Sequence, residues 1–131
     1  MWGVPRTNDR GELRRGAEQR GRRSEFWAAA LLVCKFYRVL GWRVKTKVGE
    51  IDLVALSPDG TLCFIEVKAR GLEEAAADAI TGRQRLRIER AAALYLGARP
   101  ALREKAVRFD AVLVTPGRWP RHLKDAWRPE S

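Results

Sequence analysis

The sequence predicts an α/β fold in which a central β-sheet is covered by helices. Three observations carry this expectation. Residues 49–70, GEIDLVALSPDGTLCFIEVKAR, read as two strands joined by a tight turn, and both arms are apolar almost without interruption, as in a sheet buried on both faces. Two stretches of helical periodicity, starting near Arg20 and near Thr81, flank that hairpin. A further apolar run at 106–115, AVRFDAVLVT, supplies another buried strand.

Residues 1–20 mix Gly, Pro, Asn and Arg with almost no apolar periodicity, so a flexible basic arm is expected there, followed by a single domain over 21–131. Arg6, Arg10, Arg14, Arg15, Arg20, Arg22 and Arg23 suit phosphate contacts and equally suit solvent. The first helix starts with Ser24 and Glu25 near its first turn and is expected to bury Phe26, Ala29, Ala30, Val33 and Tyr37 or Phe36. Its end is open on propensity alone. Gly41 makes a good cap, yet 37–47, YRVLGWRVKTK, also reads as a first strand interrupted by glycine.

After the hairpin, GLEEAAADAITG reads as an irregular or helical connection. The second helix runs from the N-cap Thr81 to Leu96 and is stopped by Gly97 and Pro100. Leu86, Ala93 and Leu94, with Ile88 and Leu96 nearby, form its expected buried stripe. Arg83, Arg85, Arg87 and Arg90 project around the rest, a face that suits phosphates or solvent. His122 to Trp127 add a short edge strand, and Asp110 is expected to pair with Arg108 on one strand face.

A chain of 131 residues fits one domain and buries enough surface to need no covalent staples. Cys34 and Cys63 sit in apolar runs without metal-ligand spacing, so two reduced, buried thiols are expected. No long apolar run or secretory pattern is present, which points to a cytoplasmic protein with no membrane partner. With 26 Lys and Arg against 16 Asp and Glu, the net charge is +10, and the favoured partner is a polyanion, nucleic acid first. His122 is the single histidine, so histidine triads and His-rich metal sites are excluded by count. The absence of a glycine-rich phosphate loop removes P-loop enzymes and dinucleotide folds.

Four charged residues, Glu50, Asp52, Glu66 and Lys68, stand in the apolar hairpin, where ionised groups are costly unless paired or bound to metal. The turn decides whether they meet. Ser57-Pro58-Asp59-Gly60 fits a type I turn with Gly60 left-handed in a three-residue loop, which pairs Ser57 with Thr61. Counting back by twos sets Val54 opposite Phe64, Asp52 opposite Glu66 and Glu50 opposite Lys68, all on one face. A two-residue loop would send the carboxylates to opposite faces.

Two facing carboxylates repel, and a divalent cation relieves that repulsion. Asp52 and Glu66 offer hard oxygen ligands, the Val67 carbonyl can add another, and waters and phosphate oxygens complete an octahedral Mg2+. The Lys68 ammonium can stabilise charge building on a phosphate or orient the attacking water, a layout for phosphodiester hydrolysis.

This hairpin is similar to the PD-(D/E)XK nuclease core. GEIDLVA and FIEVKAR, with GRRSE before the first helix, TGRQ before the second and RFDAVLV in the later strand, resemble the YraN-like family of bacterial proteins related to archaeal Holliday-junction resolvases. The resemblance spans roughly residues 21–115 and implies a restriction-endonuclease-like core, a mixed central β-sheet flanked by α-helices. It implies a metal-dependent, structure-specific DNA endonuclease that uses Mg2+ or Mn2+. Asp52, Glu66 and Glu25 would bind metal, Lys68 would be catalytic with Asp52 and Glu66, and Gln84 would be an accessory catalytic polar group. Glu50 would orient Lys68 or the metal shell. Arg70, like Arg83 and Arg87, would meet nucleic acid, and symmetric cutting of two strands would fit a homodimer.

Two departures stand out. Phe36 occupies the position where a helix-ending glycine is usual, which favours a strand beginning near Tyr37, and Ile51 replaces the proline of the nuclease signature, a variation the family shares. Two other readings of the same residues are a non-catalytic nucleic-acid-binding module and a structural ion-pair network joined by Arg70 and Arg108.

Overall fold

The structure, a computed structural model, describes residues 23–69 and 80–129. Five strands lie side by side in chain order: β1 (Arg38–Thr46), β2 (Gly49–Leu56), β3 (Leu62–Ala69), β4 (Val107–Val114) and β5 (Arg121–Trp127). β3 and β4 are parallel and every other neighbouring pair is antiparallel, so the sheet is mixed. A parallel pair needs a crossover, and α2 (Gly82–Gly97) lies in that connection. The basic arm expected at 1–20, Arg70 and most of GLEEAAADAITG lie outside the described residues.

The helices sit on opposite faces. α1, described over residues 23–34, packs Ala28, Ala29, Leu31 and Leu32 against Leu53, Ala55, Cys63, Ile65 and Val112. α2 packs Ile88, Ala91, Ala92 and Tyr95 against Ile51, Val54, Phe64 and Leu113. On that side Phe64, Phe109 and Trp127 stack across three strands with ring centroids 5.7 and 5.3 Å apart. The α/β class with a mixed sheet flanked by helices is thus the observed architecture.

The hairpin turn is the one its residues specify. Ser57 N–H donates to the Thr61 carbonyl at 2.9 Å, Gly60 has φ of +89°, and Leu56↔Leu62, Ala55↔Cys63, Val54↔Phe64 and Leu53↔Ile65 pair in the expected register. The open end of the first helix is also resolved. Phe36 takes φ of +68°, the left-handed residue that closes a helix, and Tyr37 N–H donates to the Leu32 carbonyl at 2.9 Å. β1 then begins at Arg38.

Ala29, Tyr37 and Ile88 are buried as expected, but the rest of each helix face differs. Phe26, Val33, Leu86 and Leu94 are exposed, whereas the alanines Ala28, Ala29, Ala91 and Ala92 are buried. Small residues let each helix approach the sheet closely, and the bulkier apolar side chains rotate to the rim. Cys34 is likewise exposed rather than buried, while Cys63 is buried and its thiol is pushed up to about 12 by desolvation. Among the described residues no helix is long and apolar enough to cross a membrane.

Candidate active site

The β2–β3 ladder pairs as far as Leu53↔Ile65, and Asp52 comes next. There the Asp52 carboxylate accepts a hydrogen bond from the Val67 N–H at 2.8 Å. The backbone explains this sideways aim. Leu53 and Ala55 face α1, yet Ile51 packs with Val44 on the α2 side, so the alternation of faces slips at Asp52. The slip lies between the pairs Trp42↔Leu53 and Val44↔Ile51, where Arg43 of β1 takes the left-handed φ of +51°. Asp52 therefore points along the sheet plane toward β3 instead of standing on one face.

Glu66 and Lys68 follow on β3, and the Lys68 Nζ lies 3.6 Å from Glu66 Oε1, with both side chains mostly buried. Burial, then the neighbouring Asp52 charge, raises the Glu66 pKa well above the carboxylate range, and Lys68 opposes that rise. Asp52 is raised too, chiefly by burial, with Glu25 and Glu50 adding repulsion and the Val67 N–H opposing it. Asp52 and Glu66 also hydrogen-bond each other. The structure thus brings Asp52, Glu66 and Lys68 together, with Glu25 and Glu50 close enough to act on Asp52.

Glu25 is nine-tenths buried and held by Arg43, whose Nε donates to Glu25 Oε1 at 2.5 Å. Arg43 also feels the charges of Glu50 and Asp52. Sequence reading missed Arg43, since it is one arginine in a basic strand and nothing in the residue types announces its left-handed backbone. Glu50 pairs in register with Lys45 of β1 instead of Lys68, because the β2–β3 ladder does not extend that far.

The remaining expected residues lie elsewhere. Gln84 closes a capping box: its Oε1 accepts from Thr81 N–H at 3.0 Å, and its own N–H donates to Thr81 Oγ1 at 3.2 Å. That places its side chain at the start of α2 in a structural bond. The Arg87 stem runs across the first residue of β2, so a Cβ on Gly49 would meet Arg87 Cγ at 2.7 Å. Arg83 is exposed in the first turn of α2. Among the described residues no three His, Cys, Asp or Glu side chains form a ready metal cage.

A second polar cluster lies under α1. Arg108 grips Asp110 with two bonds of 2.8 Å and donates to Tyr37 Oη at 2.7 Å, His122 Nε2 meets Asp110 at 2.8 Å, and Lys35 Nζ lies 2.6 Å from His122 Nδ1. The Arg108–Asp110 pair is as expected. Lys35 and His122 were not foreseen, because β5 alone brings His122 beside α1 across 87 positions of sequence. A charged Lys35 only donates, so Nδ1 accepts and Nε2 carries the proton facing Asp110.

Residues 24–114 match the family described as "Uncharacterised protein family UPF0102". The chain belongs to that family. It is 50% identical over 128 residues to a UPF0102 protein of Parvibaculum lavamentivorans, covering 96% of both chains. It is 52% identical over 116 residues to one of Maricaulis maris, covering 88% of this chain and 91% of the other. A third, from a Caulobacter species, is 49% identical over 115 residues, covering 86% and 82%. The UPF0102 match spans Glu25, Arg43, Asp52, Glu66, Lys68 and Gln84, and stops at the end of β4, before His122.

Proposed function

We propose that this UPF0102 protein is a metal-dependent nuclease that hydrolyses phosphodiester bonds, with DNA of a defined structure as its expected substrate. The observation that carries the reading is the buried Asp52–Glu66 carboxylate pair with the Lys68 ammonium 3.6 Å from Glu66. Two carboxyl groups forced together out of water are a poor structural choice and a good site for a divalent cation. The restriction-endonuclease-like core suggested by the hairpin motif belongs to the same proposal.

The donor set fits a hard cation such as Mg2+ or Mn2+: one Asp52 oxygen is engaged by Val67 N–H, the two carboxyl groups hydrogen-bond each other, and Lys68 lies beside Glu66. Bound there, the cation would polarise a phosphate and lower the pKa of a water. Lys68 places a positive charge where negative charge grows on the phosphate. Arg87, exposed on α2 with its stem against Gly49, offers a phosphate contact at the rim.

A second reading, a nucleic-acid-binding module without catalysis, is favoured by the Glu25–Arg43 pair, which occupies the third carboxylate internally. The deciding experiment incubates the protein with branched, single-stranded and duplex DNA and with RNA, in Mg2+, Mn2+ or EDTA. Metal-dependent cleavage that drops at least ~100-fold in both Asp52→Asn and Lys68→Ala is the expected result. Cleavage that persists in both variants sinks the site. Salt-sensitive binding with no cleavage establishes the second reading.

A further inference from the structure

Asp110, His122 and Lys35 stand in a row that the candidate active site leaves unused. His122 Nε2 lies 2.8 Å from Asp110 Oδ2, and His122 Nδ1 lies 2.6 Å from Lys35 Nζ. The Asp110 and His122 side chains are 0% and 3% exposed, whereas Lys35 is half-buried and forms the solvent end of the row. β5 sets the imidazole there by pairing His122 with Val112, and the turn that closes α1 supplies the amine. Tyr37 braces both, its ring edge-on to the imidazole at 5.5 Å and 5.6 Å from Nζ.

The order is that of an activated nucleophile, in which a carboxylate orients an imidazole whose free lone pair takes a proton from the attacking group. Here that lone pair is on Nδ1 and faces the amine. Charge balance does not require Lys35, because Arg108 already neutralises Asp110 with two bonds. Burial, then the neighbouring Lys124, lowers the Lys35 pKa below its ordinary value, with Arg108 adding to the effect and Asp110 opposing it. A desolvated lysine beside other cations gives up its proton more easily and attacks as the free amine. Lys124 is exposed and near enough to act on Lys35, so two ammonium groups meet an incoming anion.

We infer that Lys35 is a modification site whose amine takes an acyl group from an acyl phosphate, with His122 accepting the proton and Lys124 holding the phosphate. The Lys35 ammonium passes one proton to His122 Nδ1, which later returns it to water. The freed lone pair forms an N–C bond to the acyl carbon, and the C–O bond to phosphate breaks. Phosphate leaves with that electron pair and takes the second amine proton, so an ammonium becomes a neutral amide. This site is independent of the nuclease reading.

The test treats the full chain with acetyl phosphate at neutral pH and reads acetylation at each lysine by mass spectrometry. Lys35 is expected to react at least ~10-fold faster than the exposed Lys47. His122→Asn and His122→Gln should each slow Lys35 by at least ~10-fold and leave Lys47 unchanged. Lys124→Ala should slow Lys35 about 2- to 5-fold with acetyl phosphate and leave its reaction with an acetyl thioester lacking phosphate unchanged. Thermal melting confirms that each variant is folded.

Lys35 labelling no faster than Lys47, or as fast in a folded histidine variant as in wild type, overturns the inference. If neither histidine variant folds, the wild-type rates and the Lys124 comparison decide it. A Lys124→Ala variant that slows both donors equally, or neither, overturns the assignment of acyl phosphate as the donor.

Discussion

The Asp52 carboxylate takes the Val67 N–H at 2.8 Å, one position past the last backbone pair of the β2–β3 ladder. A side chain thereby does what a strand carbonyl would otherwise do, and the two strands part where Asp52 and Glu66 face each other. One neutral N–H offsets little of the cost of charging two buried carboxyls, which leaves the site short of positive charge.

The metal-free protein is therefore expected to lose stability as pH rises. Burial raises Asp52 to about 6 and Glu66 to about 8, from 3.8 and 4.5. Folded carboxyls then keep protons that the unfolded chain has shed, so their contribution declines from about pH 4 through about pH 8. Melting in EDTA checks this: Glu66→Gln should raise Tm more at pH 8 than at pH 5. Mn2+ should raise the wild-type Tm at pH 8 and leave Glu66→Gln unmoved. A Tm of Glu66→Gln that tracks wild type across the range would contradict the buried pair.

Asp110 behaves oppositely. Burial alone would raise its pKa, but bonds from His122, Arg108 and the Asp125 N–H outweigh burial and hold it at about 2, below the ordinary 3.8. Stability from this group is full above about pH 4 and drains away as pH falls toward 2. Asp110→Ala strands Arg108 and His122 without their anion and should cost about 3–5 kcal/mol in urea denaturation at pH 7. Asp110→Asn keeps the shape and should cost less.

What the sequence disclosed follows from range. The hairpin register was legible because Pro58, Asp59 and Gly60 dictate the turn locally, and the turn counts outward as far as Leu53 and Ile65; the slip at Asp52 lies beyond its reach. The helix faces were misjudged because Phe26 and Leu86 outweigh Ala28 and Ala91 in any hydrophobic count, whereas the sheet selects the residues that let it come close. Arg43 and His122 were hidden for a third reason. One depends on a left-handed backbone and the other on a strand pairing, and neither leaves a mark on residue type.

Phe36 offers a stability test away from any site. Its φ of +68° costs an L-residue roughly 1–2 kcal/mol, and its ring, 85% exposed, recovers little by packing. Glycine there should stabilise by about 1 kcal/mol after its extra unfolded-state entropy is subtracted, read as a higher urea midpoint at unchanged m-value. Phe36→Ala keeps the Cβ penalty and should gain nothing, so equal gains for both would refute the cap.

Arg43 decides whether Glu25 can join the metal. The guanidinium sits 2.5 Å from Glu25 Oε1, and a cation drawing on Glu25 as well as Asp52 and Glu66 must displace or share it. Arg43→Met leaves a buried, unpaired carboxylate and should destabilise the metal-free protein by about 2 kcal/mol, short of the full cost of a buried pair because Arg43 is partly exposed. The vacated charge is the same sign as the metal's. If Glu25 is a ligand, Mn2+ should raise the Tm of Arg43→Met by more than that of wild type, and the double variant Glu25→Gln with Arg43→Met should lose the excess. Equal metal shifts in wild type and Arg43→Met would assign the Glu25–Arg43 pair to tying α1 onto β1, leaving Asp52 and Glu66 as the whole carboxylate set.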